Sequence, residues 1–301
     1  MSGLCHRSLD FQIEPMRNLE KTVWVSALAL ATATLLAFDA QSPPQPARFT
    51  ESIKGTALSI DLIPVATAEG GPPIWMSRTE ISWDLLDVCV FGFDKKQGKS
   101  ESPTADAVTR PTKPYVAADR GFGHAGWPAN SVSIQNARAF CRWISAKTGK
   151  KYRLPTHAEW KLACESSKID PKNLDEFAWF DANSDGTTHK IGSKKEDAQG
   201  LHDLFGNLAE WCTLVDGTGA VVGGSYRDAQ SEVGCAALLH DTPKWNVSDP
   251  QIPRSSWWLA DAGWIGFRIV CEGPTAPTSA QPVTPVSPVS PVPSTPQGES
   301  K

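Results

Sequence analysis

Between residues 176 and 270 the chain has no long stretch of helical periodicity; short apolar runs are cut every few residues by Gly, Asp or Asn. So long a stretch without a helix face to bury has to fold as short strands and turns. Such a fold needs large side chains as anchors, and the sequence supplies twelve tryptophans against three tyrosines. Each Trp brings a big apolar body and an N–H that wants a partner, so the usage predicts a loop-rich core pinned by indoles.

Upstream the periodicities are clearer. Residues 57–63 alternate apolar and polar side chains, and 74–81 reads as a second strand. Ser82 is placed to cap a helix running through Val88. Residues 94–114 are charged, Pro/Thr-rich and aperiodic, as a surface loop would be. The best helix follows Ser133, with Ile134, Ala137, Phe140, Cys141 and Ile144 in one stripe and Thr148-Gly149 as its end. Pro155 fixes the entry to a third helix, where Thr156 and Glu159 form a capping box and the helix runs to about Ser166.

The two ends of the chain are expected to stand outside the core. Arg17 and Lys21 precede an apolar run over 22–38 that ends in small residues near Ala40, so 1–40 reads as a signal peptide. The run sits at the lower edge of what spans a bilayer, which leaves an uncleaved N-terminal anchor as the alternative. Residues 1–15, ahead of Met16, read as an upstream extension. A linker over 41–54, a folded domain over 55–272 and a disordered Pro/Ser/Thr-rich tail over 273–301 complete the division. The expected localisation is therefore export: secreted, periplasmic or at the cell surface. A formal charge of -4 and no aromatic-flanked basic cluster exclude nucleic acid as a partner. A membrane is a partner only if 22–38 stays attached.

Four segments, in order, carry a resemblance. They are Arg78-Thr79-Glu80-Ile81-Ser82-Trp83 with 130–143; Tyr152-Arg153-Leu154-Pro155-Thr156-His157-Ala158-Glu159-Trp160; Gly200 through Trp211; and Gly223-Gly224-Ser225-Tyr226 with Gly266-Phe267-Arg268. Together they resemble the formylglycine-generating enzyme, or sulfatase-modifying-factor, family. The resemblance implies an α+β fold of the C-type-lectin-like type with little regular secondary structure. It also implies a copper-binding, oxygen-activating cysteine pair just after Gly-Gly-Ser. Here that stretch, 227–234, contains no cysteine, and Asp228 stands about where the first would be. A carboxylate is not the soft ligand Cu(I) prefers, so no copper is expected and no catalytic residue is assigned.

The resemblance further implies two framework disulfides, Cys141–Cys271 and Cys164–Cys235, the former with a two-residue offset that keeps the side chain on the same strand face. Small buried thiols are the bland alternative, and the pairing of Cys89 and Cys212 is left open. A calcium site is implied with side chains from Asp203 and Glu210 and carbonyls from Gly206 and Leu208, since calcium takes loosely arranged oxygens. Against it stands a turn in which Asp203 caps N–H groups and Glu210 pairs with an arginine such as Arg268. Asp181, Asn183 and Asp185 read as turn residues. The histidines show no metal-ligand spacing.

The expected function is thus a non-oxidase, pseudoenzyme-like binding or scaffold module for a protein, peptide or glycan, acting through residues 223–264. Ser225, Arg227, Asp228, Trp257 and Trp258 are the ligand-groove candidates, against the alternative that the tryptophans are core anchors. Two other functions remain open: a formylglycine-generating or related protein-modifying oxidase with different catalytic residues, and a structural cell-surface component.

Overall fold

A computed structural model describes residues 46–68, 71–95, 113–114 and 116–273. The signal or anchor segment, most of the 94–114 loop and the tail from 274 lie outside the described residues. Among the described residues no helix is long and apolar enough to cross a membrane.

The chain starts with β1 (Phe49–Ser52), β2 (Ser59–Val65) and β3 (Ile74–Ser77), which pair antiparallel in succession. β1 falls inside the expected linker, which corrects the domain start. Phe49 meets the Trp75 ring edge-on at 5.8 Å, and Glu51 accepts the Tyr152 hydroxyl at 2.6 Å, so the segment has partners that a linker lacks. β3 stops four residues earlier than expected because Glu80 turns inward to be bound by Asn207 and Leu208.

Three helices follow where the capping residues put them. α1 (Trp83–Phe91) begins with the Ser82 hydroxyl accepting the Leu85 N–H and ends at Gly92, whose φ of 69° is left-handed. α2 (Ile134–Thr148) is capped by Ser133 and closed by Gly149. After β4 (Tyr152–Arg153), α3 (His157–Ser166) carries the reciprocal box: Thr156 accepts from Glu159 N at 3.2 Å, and Glu159 accepts from Thr156 N at 2.8 Å.

The remainder is short strands, as the broken pattern predicts: β5 (Ala209–Thr213), β6 (Gly219–Gly223), β7 (Gly234–His240), β8 (Ile265–Gly266) and β9 (Val270–Glu272). Two sheets result, in the orders β1-β2-β3-β9-β4 and β7-β6-β5-β8. The last strand, β9, is inserted between β3 and β4, so the domain closes on itself. β5 and β8 are parallel, and β7 is an outer edge.

Indoles do pin this fold. Trp160 and Trp211 are fully buried, and each N–H is satisfied, by Glu210 at 2.8 Å and by the Val132 carbonyl at 2.7 Å. Trp83 donates to Asn130, Trp127 to the Thr188 carbonyl and Trp179 to Ser193. Burying a large apolar side chain contributes about 1.5–3 kcal/mol, so these anchors stand in for the absent helices.

Candidate functional site

The turn after β6 forms around two glycines. A Cβ on Gly223 would lie 2.8 Å from the Leu204 carbonyl oxygen, and both Gly223 and Gly224 have positive φ. The chain then folds back so that Asp228 fastens the turn. One carboxylate oxygen of Asp228 accepts both the backbone N–H and the hydroxyl of Ser225, each at 2.8 Å. Its own carbonyl accepts Asp181 N at 3.0 Å. Asp228 is thus a structural acid in the stretch where the resemblance implies a thiol.

The five groove candidates separate once placed. Ser225 is completely buried and faces Asp228, so it is not a ligand contact. Trp258 is buried as well, stacked on Trp83 at 6.0 Å. Trp257 is partly buried against the core and its carbonyl accepts Ser133 N. Trp245 and Trp264 pack edge-on at 5.4 Å. The indoles of this loop are core anchors, which corrects the groove expectation for Trp258 and Ser225. Arg227 is exposed, its guanidinium 4.0 Å over the Trp264 ring, and the Asp228 carboxylate is partly open beside it.

Behind the turn lies a buried charge cluster around Arg268. Its Nε sits 2.8 and 2.6 Å from the two Glu210 oxygens, while its terminal nitrogens donate to the carbonyls of Ser77 and His202. Glu80 accepts from Asn207 Nδ2 at 2.8 Å and from Leu208 N at 2.9 Å. Asp203 accepts Gly192 N through one oxygen, and the other oxygen is buried without a partner. Burial first, then the Asp203 and Glu210 charges, holds the Glu80 carboxyl well above the usual range. Burial also raises Asp203. Asn207 is the hub of the surrounding loops: it takes His189 N on its side chain, donates its own N–H to the Trp179 carbonyl and accepts Tyr226 N.

This geometry does not fit the calcium set of Asp203, Gly206, Leu208 and Glu210. Both Glu210 oxygens are engaged by Arg268, one of them by Trp160 as well, so a guanidinium already supplies the balancing cation. The lone free acceptor of Asp203 is too little for a shell of six or more oxygens. Among the described residues no cluster of three or more His, Cys, Asp or Glu is placed to hold a metal. Sequence reasoning named Arg268 as Glu210's alternative partner but gave Glu80 no role beyond its place in the first resembling segment, Arg78 to Trp83.

Of the two expected disulfides, Cys164–Cys235 is formed, with Cα atoms 5.6 Å apart, tying α3 to β7. Cys141–Cys271 is not formed. Cys271 lies on β9 opposite Trp75 and Tyr152, its Sγ turned toward the Glu272 carbonyl, whereas Cys141 belongs to the buried face of α2. Burial pushes the Cys141 and Cys212 thiols up to about 12, so neither supplies a thiolate near neutral pH.

Two surface cavities flank β7. One, of about 760 Å³, is mostly apolar and lies between the end of α3 and residues 230–237. The other, of about 600 Å³, is more polar and lies between the start of α2 and residues 240–246. Neither was legible from sequence, because each is lined by segments far apart in the chain.

A family model, the sulfatase-modifying factor enzyme 1-like domain, matches residues 52–272. The chaperone protein LppX of Paenibacillus barcinonensis is 25% identical over 134 residues, 36% of this chain and 45% of the relative, so the match spans less than half of that protein. Among solved structures, Treponema denticola variable protein 1 superposes with a TM-score of 0.53 at 18% identity, over 76% of this chain and 100% of that one. PvdO from Pseudomonas aeruginosa gives 0.50 at 18%, over 77% and 100%. These likenesses show the fold, α+β of the C-type-lectin-like kind.

Proposed function

The chain belongs to the sulfatase-modifying factor enzyme 1-like domain family, and from that premise we propose that it is an exported, non-oxidase member that works by binding. One observation carries the reading: Asp228, about where the resemblance places the first oxidising cysteine, is locked by two hydrogen bonds to buried Ser225. A carboxylate can neither hold Cu(I) well nor form a mixed disulfide with a substrate cysteine. Among the described residues the other cysteines, Cys89, Cys141, Cys212 and Cys271, are all buried, and burial raises the thiols of Cys141, Cys212 and Cys271.

Export is supported by the apolar N-terminal run and by the Cys164–Cys235 bridge, since disulfides persist mainly outside the cytosol. Binding in place of chemistry is supported by the cavities beside β7 and by the chaperone name of the relative LppX. The partner is a protein, peptide or glycan met by the surface of residues 223–264, where Arg227 is the exposed charged candidate.

The test is mass spectrometry of a sulfatase-type cysteine peptide incubated with the folded chain, copper and oxygen. The peptide is expected to be recovered with its cysteine intact. Conversion to formylglycine would overturn the non-oxidase reading and direct the search to an unrecognised copper site.

A further inference from the structure

α1 and α2 bring two cysteines together in the core. Along α1, Leu85, Leu86 and Cys89 fall at three- and four-residue spacing on the buried face, and along α2 Ala137, Cys141 and Ile144 do the same. The two helices pack against each other, and all six side chains belong to one apolar cluster. Cys89 lies close enough for its charge to act on Cys141, where the other leading charges are those of Arg142, Arg153 and Arg138. Cys271, the partner that the resemblance implies for Cys141, has Tyr152, Lys150, Glu51 and Glu272 around it instead. Both Cys89 and Cys141 stand as thiols in this structure. The Cys164–Cys235 bridge shows that the same domain holds a disulfide between a helix and a distant segment.

We propose that Cys89 and Cys141 are an oxidisable pair whose disulfide staples α1 to α2, so that Cys141 takes Cys89 and not Cys271 as its partner. The reaction is exchange with a small-molecule disulfide. A thiolate of the pair attacks one sulfur of the oxidant and releases a thiol, and the second cysteine attacks the resulting mixed disulfide and releases the other. Two electrons and two protons pass from the protein thiols to the oxidant, which leaves as two thiols. Burial keeps Cys141 protonated in the closed core, so the exchange runs when the α1–α2 contact opens and is faster at higher pH.

The staple would join the two supports of one loop. Trp83 at the start of α1 stacks on Trp258, and Ser133, the cap of α2, donates its hydroxyl to the Ser256 carbonyl and its N–H to the Trp257 carbonyl. Oxidation therefore fixes the holders of residues 256–258 relative to each other. The bridge itself does not depend on the binding-module reading; only this consequence for the 223–264 surface does.

The test is peptide mapping of the full chain before and after equilibration with oxidised and reduced glutathione, with alkylation after denaturation and the Cys164–Cys235 peptide as the internal sign that the conditions oxidise. Before oxidation Cys89 and Cys141 should both be alkylated. Afterwards they should be recovered as one cross-linked peptide, in the wild type and in Cys271→Ser alike. Closing a loop of about 50 residues should raise the thermal midpoint by roughly 5–15 °C, a gain absent from Cys89→Ala. A Cys141–Cys271 or Cys89–Cys212 peptide in place of the expected one would overturn the proposal. So would glutathione carried singly on Cys89 or Cys141, or alkylation of both after oxidation while Cys164–Cys235 is intact.

Discussion

Arg268 and Glu210 meet in the core with the arginine Nε 2.8 and 2.6 Å from the two carboxylate oxygens, both side chains almost wholly shielded from water. Glu80 and Asp203 lie near enough for their charge to act on the same guanidinium, while among the described residues the acid it hydrogen-bonds is Glu210. Replacing Arg268 by Met would leave Glu210 buried without its cation. The expected loss, read by urea denaturation, is about 3–5 kcal/mol, and a change within error would mean that the cluster is not as closed as its geometry.

The same cluster sets a pH dependence. Glu80 has its folded-state pKa raised, by burial first and then by Asp203 and Glu210. Between its unfolded pKa and the raised folded value the native state holds a proton that the unfolded chain has released, so stability falls as pH rises through that window. Glu80→Gln carries no such proton and should flatten the decline. Denaturation midpoints of both proteins across pH 4.5–9 would check it, and parallel curves would count against it.

On the surface, His124 bridges Asp87 at 2.8 Å and Asp119 at 3.2 Å while stacking on Trp83. Burial, the largest single effect, lowers its pKa, but the hydrogen bonds and charges of the two aspartates outweigh it and raise the value above 6.5. The charged bridge is therefore complete below the unfolded pKa and is lost as pH rises through the folded one. An NMR titration of the imidazole should give a lower midpoint in Asp87→Asn, and an unmoved midpoint would refute the bridge.

Cys164–Cys235 closes a separation of 71 residues, and removing it with a double alanine substitution should cost about 2–4 kcal/mol. Alkylation of the unreduced, denatured chain followed by peptide mapping should label Cys141 and Cys271. Recovery of a Cys141–Cys271 peptide would restore the second bridge.

Asp228→Ala leaves the buried N–H and hydroxyl of Ser225 without their acceptor, which should destabilise the fold by about 1–3 kcal/mol. Asp228→Asn keeps one acceptor and should lose less. If both variants matched the wild type in thermal unfolding, Asp228 would be an accessible functional acid and not a turn fastener.

Much of the fold was legible because its signals are local. Ser82, Ser133 and Thr156 each cap a helix from within three residues, and Gly149 ends the second by a left-handed backbone angle that is set locally. A tryptophan-rich stretch without helical period likewise yielded short strands with buried indoles, since an unbroken apolar face was never available to it.

What no single segment could specify is how distant loops meet. The Gly-Gly-Ser-Tyr motif was visible, yet which atom Asp228 would hold depends on a turn closing against Asp181. Asp203 and Glu210 read as a cation cradle until Arg268 occupied that role from 58 residues away from Glu210, alongside Glu80. The family resemblance implies a Cys141–Cys271 bridge, but the two lie on a helix face and a central strand that do not join their sulfurs, whereas Cys164 and Cys235 are brought within bridging reach. The sequence by itself determined the three helices with their N-caps, the strand-and-turn character of the second half and the family, because hydrogen bonds between near neighbours and the period of apolar residues are properties of short segments. Charge pairing, disulfide choice and the cavities beside β7 were decided by the tertiary structure, because each depends on long-range contacts and on the desolvation that only the closed core imposes.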